Sequence, residues 1–242
     1  MWLKVEKFRH RNFSTTIQGE WPMSRISIFA GHFGSGKTEI SLNYAINLAK
    51  AGKKVAIVDI DIVNPYFCVR DVRDMLEGYG IRVIASNPHL SNAELAVVPP
   101  EVAAVFNDKS YEVVFDVGGD DSGAVVLGQY NRFFRQEPYE MYFVVNNNRP
   151  FTMNYNDTME FVDEIQRTSR LKATHLISNT NLSYETTAED ILRGDKEVLE
   201  LSEKINLPYK YTVCRRDLEN EIKDKVHGEI LPIDIYMKPP WR

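Results

Sequence analysis

Residues 26–52 read "ISIFAGHFGSGKTEISLNYAINLAKAG". An apolar run, Ile26 to Ala30, enters a cluster of three glycines; a lysine and a threonine follow, and then an apolar period of helical spacing begins. The pattern predicts a strand, a tight loop and a helix over 37–51. Within the loop, Gly31, His32, Phe33, Gly34, Ser35, Gly36, Lys37 and Thr38 satisfy the spacing GxxxxGK[ST] in full. Glycines let a backbone curl until successive N–H groups face inward, and the following helix adds the positive end of its dipole. Such a cradle suits phosphate: the lysine neutralises β- and γ-phosphates, and the threonine hydroxyl can ligate Mg²⁺.

Working outward, short apolar runs alternate with longer helical patterns. Strands are expected at 26–30, 54–59, 82–85, 112–116, 141–145, 175–178 and 209–213. Helices are expected at 37–51, 69–78, 99–107, 125–134, 152–168 and 188–204. Runs such as "VAIV" and "VVF" show no alternation, as expected of a parallel sheet covered on both faces. The expected fold is α/β: a doubly wound, mostly parallel sheet of about seven strands flanked by helices, formed by residues 23–242. Residues 1–22 carry little helical period and are expected to form an N-terminal arm or an edge strand, with Leu3 and Val5 on one face.

Bulk properties narrow the function. The chain has 242 residues, 43% hydrophobic and 26% charged, ordinary values for a globular protein. Its formal net charge of −5 argues against general nucleic-acid binding or a membrane-surface role. No stretch reaches the roughly 18 uninterrupted apolar residues of a spanning helix, and the N-terminus has no continuous apolar core of a signal peptide. Cys68 and Cys214 lie far apart with no CxxC or histidine spacing, and read as reduced thiols of a cytoplasmic protein.

Two acidic sites accompany the loop. "VAIVDIDIVNPYF" ends a strand with Asp59 and Asp61, whose carboxylates share one side of an extended chain near the strand's carboxyl end. "YEVVFDVGGDD" ends another with Asp116 before Gly118 and Gly119. An Asp there can hold Mg²⁺ directly or through water, and a glycine lets the backbone approach a γ-phosphate.

With these three motifs the sequence resembles the MinD/ParA/CobQ-type ATPases, the deviant Walker A group of P-loop proteins, over about 25–213. The resemblance implies ATP or ADP with Mg²⁺ as ligands, and cofactor-binding roles for residues 31–38 and Gly119. It gives Thr38, Asp59 and Asp116 to the metal, Lys37 and Asp61 to catalysis (Asp61 orienting the attacking water), and Asn179, in "HLISNTN", to adenine. No NKxD guanine signature is present, which favours ATP over GTP. The group's usual motif is GKGGxGK[ST], whose first lysine crosses a dimer interface. Here that position is His32 and Phe33 replaces a glycine, so a homodimer is implied without its signature lysine. His32 contacting phosphate and His32 capping the loop are equal readings.

The expected function is a slow Mg²⁺-dependent ATPase acting as a switch for a protein partner. The alternative is a biosynthetic enzyme of the CobQ and dethiobiotin-synthetase type that activates the carboxylate of a small acid. A nucleotide-binding scaffold without turnover is a third reading. The proline-rich tail "HGEILPIDIYMKPPWR" does not resemble a basic membrane-targeting helix. Arg70 or Arg73 reaching nucleotide competes with a solvated helix, Arg149 binding an anion competes with a surface ion pair, and His89 and His175 read as structural.

Overall fold

Unbroken apolar runs become strands whose two faces are both covered. The computed structural model describes residues 24–61, 69–85, 100–119, 121–148 and 155–237. Residues 1–22, together with Tyr66, Phe67, Cys68, His89 and Arg149, lie outside the described residues. In chain order the elements are β1 (Ile26–Ala30), α1 (Lys37–Lys50), β2 (Lys54–Asp59), α2 (Arg73–Gly78), β3 (Arg82–Ala85), α3 (Pro100–Asn107), β4 (Tyr111–Asp116), α4 (Asp121–Gln129) and α5 (Asn131–Phe134). They continue as β5 (Glu140–Val145), α6 (Tyr155–Ser169), β6 (His175–Ser178), α7 (Ala188–Ile205), β7 (Tyr209–Arg215), α8 (Glu219–Ile222) and β8 (Glu229–Ile233). The strands form one eight-stranded sheet in the order β3-β2-β4-β1-β5-β6-β7-β8, with parallel neighbours throughout.

Alternate residues of each central strand feed two cores. Ile26, Ile28, Phe115 and Phe143 face the side covered by α3 to α7, with Phe106, Tyr130, Val162 and Val198 among their neighbours. Phe29, Ile57, Val114 and Tyr142 face α1 and α2, whose Ile40, Leu42, Ile46 and Leu76 complete the second core. Burying one such side chain contributes about 1.5–3 kcal/mol, so both faces need helices. Helix ends follow local chemistry. Thr187 and Asp190 form a reciprocal capping box at the start of α7, and Asn206 ends that helix in the left-handed region.

Two departures from the sequence reading have clear causes. The stretch expected as one helix over 125–134 is α4 followed by α5. Their corner is Tyr130, fully buried against Phe106 and Phe115. α4 begins earlier, at Asp121, because Gly123 is a site of close packing rather than a helix stop: a Cβ there would lie 2.4 Å from the Gly118 carbonyl oxygen. The sheet also has an eighth strand, β8, inside the tail that read as proline-rich. Pro232 sits opposite Cys214 on the outermost strand, where a missing N–H need not remove a ladder bond.

Asp195 of α7 secures this last part of the sheet. Its carboxylate, 1% exposed, accepts from the Tyr209 and Thr212 hydroxyls at 2.8 Å each, from the His227 and Gly228 backbone N–H groups, and pairs with His227 Nδ1 at 2.6 Å. An unsatisfied buried donor costs about 1–3 kcal/mol, and Asp195→Ala strands several at once. The variant is expected to lose at least about 3 kcal/mol in urea unfolding. A loss below about 1 kcal/mol would show that the network contributes little.

Candidate functional site

The loop between β1 and α1 is shaped by where its polar groups are tied. Gly34 and Gly36 take positive φ, 75° and 88°, and Gly36 is the N-cap of α1. The Ser35 N–H donates to the His32 carbonyl at 3.1 Å, closing the turn, and the Lys37 ammonium donates to that same carbonyl at 3.0 Å. Lys37 is 6% exposed. Its charge therefore sits inside the loop instead of in solvent. Across from it lies Gly119, where a Cβ would come within 2.6 Å of the Phe33 N and Cα and 2.8 Å of Lys37 Nζ. Only a glycine lets the chain after β4 approach the loop so closely.

The three aspartates lie at the carboxyl ends of adjacent strands. Asp59 of β2 and Asp116 of β4 are register partners, and Asp116 is also opposite Phe29 of β1. All three acids are buried: Asp59 at 2%, Asp61 at 7% and Asp116 at 1%. The Asp61 N–H donates to Asp59 Oδ1 at 3.0 Å, and a Cβ on Gly118 would lie 3.1 Å from Asp61 Oδ1. Burial pushes the Asp116 carboxyl up to about 7, opposed by Lys37 and a hydrogen bond from Thr38, and reinforced by the charge of Asp61. Lys37, Thr38, Asp61 and Asp116 thus form one electrostatic unit.

Asn179, after β6, lies beneath the loop. Its Nδ2 donates to the Ser35 carbonyl at 2.7 Å and would meet a Cβ on Gly36 at 2.3 Å, while its buried Oδ1 has no hydrogen-bond partner among the described residues. His32 turns toward its own chain, its ring 4.9 Å from that of Phe161 and its Nδ1 3.0 Å from the Phe33 carbonyl. Phe33 is 59% exposed. Arg73 pairs with Glu77 and donates to the Val83 carbonyl, as a solvated-helix arginine does. His175 stacks on Tyr142, and burial lowers its pKa. Cys214 is a buried free thiol.

Two positions to which sequence reasoning gave no role hold the site together: Asn146, expected only at the rim because residues 146–149 follow a strand, and Glu39. Asn146, after β5, donates to the Gly34 and Asn181 carbonyls and accepts from the Asn148 and Asn181 N–H groups, joining the loop to two strand ends. Glu39 of α1 accepts from the backbone N–H of Tyr236 and Met237, tying the tail across the helix. The only sequence signal was an amide or acid beside a loop already marked by other residues.

The raised Asp116 pKa has a stability consequence with a definite sign. A carboxyl whose folded pKa lies above its unfolded value favours folding below about pH 4, and that stabilisation is lost as pH rises through about 7. In chelator and without nucleotide, melting temperature is expected to fall from pH 5 to pH 8, and Asp116→Asn to flatten the fall. Equal slopes for the two proteins would remove Asp116 as its source.

Residues 26–232 match the CobQ/CobB/MinD/ParA nucleotide binding domain family. An iron-sulfur cluster carrier protein of Bacillus subtilis is 30% identical over 125 residues, covering 45% of this chain and 35% of that one. An uncharacterized ATP-binding protein of Methanocaldococcus jannaschii is 60% identical over 37 residues, covering 15% of this chain and 14% of that one. The chain thus spans well under half the length of either relative. Chloroplast FtsY from Physcomitrella patens shares the fold, with a TM-score of 0.53 at 18% identity, covering 82% of this chain and 61% of that one. No helix among the described residues is long and apolar enough to cross a membrane. With its glycine-rich loop set at the carboxyl ends of a parallel sheet and the family match running from β1 to β8, the chain belongs to the CobQ/CobB/MinD/ParA nucleotide-binding family.

Proposed function

We propose that this protein binds ATP and ADP with Mg²⁺ and hydrolyses ATP slowly, as a switch for a protein partner. The observation that carries the reading is the convergence of Lys37, Thr38 and Asp116 beside the curled loop, with Asp61 close enough to raise the Asp116 pKa. The donor set suits Mg²⁺. Thr38 and Asp116 offer hard oxygen ligands close enough to each other for Thr38 to lower the Asp116 pKa. Among the described residues no group of three or more His, Cys, Asp or Glu side chains forms a protein-only metal cage. Mg²⁺ ordinarily uses one or two protein ligands, with water and phosphate oxygens completing the octahedron, and when bound it neutralises phosphate charge.

The chain's own groups divide the work. Loop N–H groups and Lys37 hold the β- and γ-phosphates. Asp61 orients water, Asp59 supports the metal's water shell, and Gly119 lets backbone approach the γ-phosphate. The unpartnered Oδ1 of Asn179 supports a role as acceptor for an adenine amino group, and the stretch after β6 has no guanine signature. Turnover is slow in this reading because the arginine-finger role, worth about 10³–10⁵ in rate, is left to the partner.

Calorimetry and phosphate release test the assignment. Charge-assisted hydrogen bonds contribute about 1.5–3 kcal/mol, so Lys37→Ala is expected to weaken ATP binding roughly 10- to 150-fold. Asp61→Asn is expected to keep ATP affinity, or raise it by removing a negative charge, while hydrolysis falls. If Asp61→Asn loses binding as severely as Lys37→Ala, Asp61 is not the water-positioning residue. GTP displacing labelled ADP as well as ATP does would remove the adenine preference.

A further inference from the structure

A second polar cavity lies at the opposite edge of the sheet. α4 leaves the carboxyl end of β4 and runs back toward the amino ends of the strands, where it meets α5 and the turn after α6. Gln129, Asn131, Arg132, Arg135, Gln136 and Arg170 line a cavity of about 420 Å³ there, and no carboxylate is among its lining residues. A six-residue strand spans about 20 Å, which separates this place from the glycine-rich loop.

The arginines of this cavity stand apart from the rest. Among the described residues, Arg25, Arg73, Arg167, Arg193, Arg215 and Arg216 each sit within salt-bridge distance of a carboxylate. Four described arginine side chains have no such partner there: Arg82, Arg132, Arg135 and Arg170. Three of these four line the one cavity. The chain carries a formal charge of −5, so carboxylates are not scarce. The acid nearest in sequence, Glu137, is committed elsewhere: it accepts from Arg25 and Lys109.

Two of the three guanidinium groups are also held in place. Arg170 adopts φ 59°, its carbonyl accepts from Asn131 Nδ2 at 2.9 Å, and its Nη2 donates to the Gly128 carbonyl at 2.7 Å. A guanidinium has five N–H donors, and this bond uses one. Arg132 lies over the Phe133 ring at 4.6 Å. Planar guanidinium forks match phosphate and carboxylate oxygens in pairs, and three of them beside carboxamide groups make a chemical environment for concentrated negative charge.

We propose that this cavity binds a small, multiply charged anion, a phosphate ester or a polycarboxylate, independently of the nucleotide loop. A small ligand fits better than a protein segment because the cavity holds only about 420 Å³ and every lining side chain ends in a carboxamide or a guanidinium, apart from Gly128, which has none. Stable protein interfaces bury on the order of 1,000 Å² or more around an apolar centre. The location also separates this anion from any acid that would receive a phosphoryl group, since it lies across the sheet from residues 31–38.

The test uses the full-length protein in chelating buffer, titrated calorimetrically with sodium tripolyphosphate and, separately, with citrate. Three proteins are compared: wild type, Lys37→Ala, and Arg132→Gln/Arg135→Gln, whose substitutions remove exposed side chains without breaking an ion pair. Anion binding is expected to persist in Lys37→Ala, and the Lys37-independent part of the binding seen in wild type to weaken roughly tenfold or more in the double variant, whose melting temperature and ADP affinity stay unchanged. Affinity should fall as salt is raised. Preference for tripolyphosphate identifies a phosphate ligand, and preference for citrate a polycarboxylate. Binding that disappears in Lys37→Ala yet survives in the double variant would overturn the proposal, placing the anion in the nucleotide loop. No binding of either anion, with or without capture of a polyglutamate peptide by the same arginines, would equally overturn it.

Discussion

A backbone whose N–H groups face inward cannot tie down its own outer side, and the rest of this site follows from that constraint. Besides the turn bond from the Ser35 N–H to the His32 carbonyl, three loop carbonyls take side-chain donors. Lys37 supplies one to His32, Asn146 one to Gly34, and Asn179 one to Ser35. Those donors come from three neighbouring elements, α1 and the ends of β5 and β6. The loop's shape therefore depends on the strand order: only a parallel sheet with β5 and β6 successively beside β1 presents both amides to one loop. Exposed loops without such bracing sit at the low end of local stability.

This bracing also explains how much the sequence revealed. The limits of β1, β2, β3 and β6 were legible in full because each holds a short apolar run, such as "VIA" in β3 and "LI" in β6, bounded by polar residues or glycine. The loop and the acids after β2 and β4 were legible because their spacing is local. The bonds made by Asn146, whose place at the rim was legible, and by Glu39 were not, since each acts on backbone far away in the chain. β8 was hidden by Pro232, whose meaning changes with edge position, and the early start of α4 by Gly123, whose small size serves packing against Gly118. In both cases a residue that usually interrupts regular structure is accommodated by a neighbour that only tertiary structure supplies.

His32 shows how a local substitution can redirect an interaction. With its ring against Phe161 and its carbonyl serving both Ser35 and Lys37, the residue works for its own loop. Phe33 beside it is turned outward. At the position where the GKGGxGK[ST] pattern has its first lysine, this loop carries an imidazole with an exposed aromatic ring beside it.

Among the described residues the sheet ends at β8, and this bears on the protein's behaviour in concentrated solution. An outermost strand normally offers a row of N–H and C=O groups on which another chain can add a strand, and long flat edges of this kind seed aggregation. In β8 the fourth of five residues is proline, which cannot donate, and Glu229 opens the strand with a charge. The segment that follows is drawn back over α1 by Glu39 and Asn43. A short edge, interrupted once and left quickly, gives an incoming strand little to pair with, so β8 itself guards against fibrous self-association.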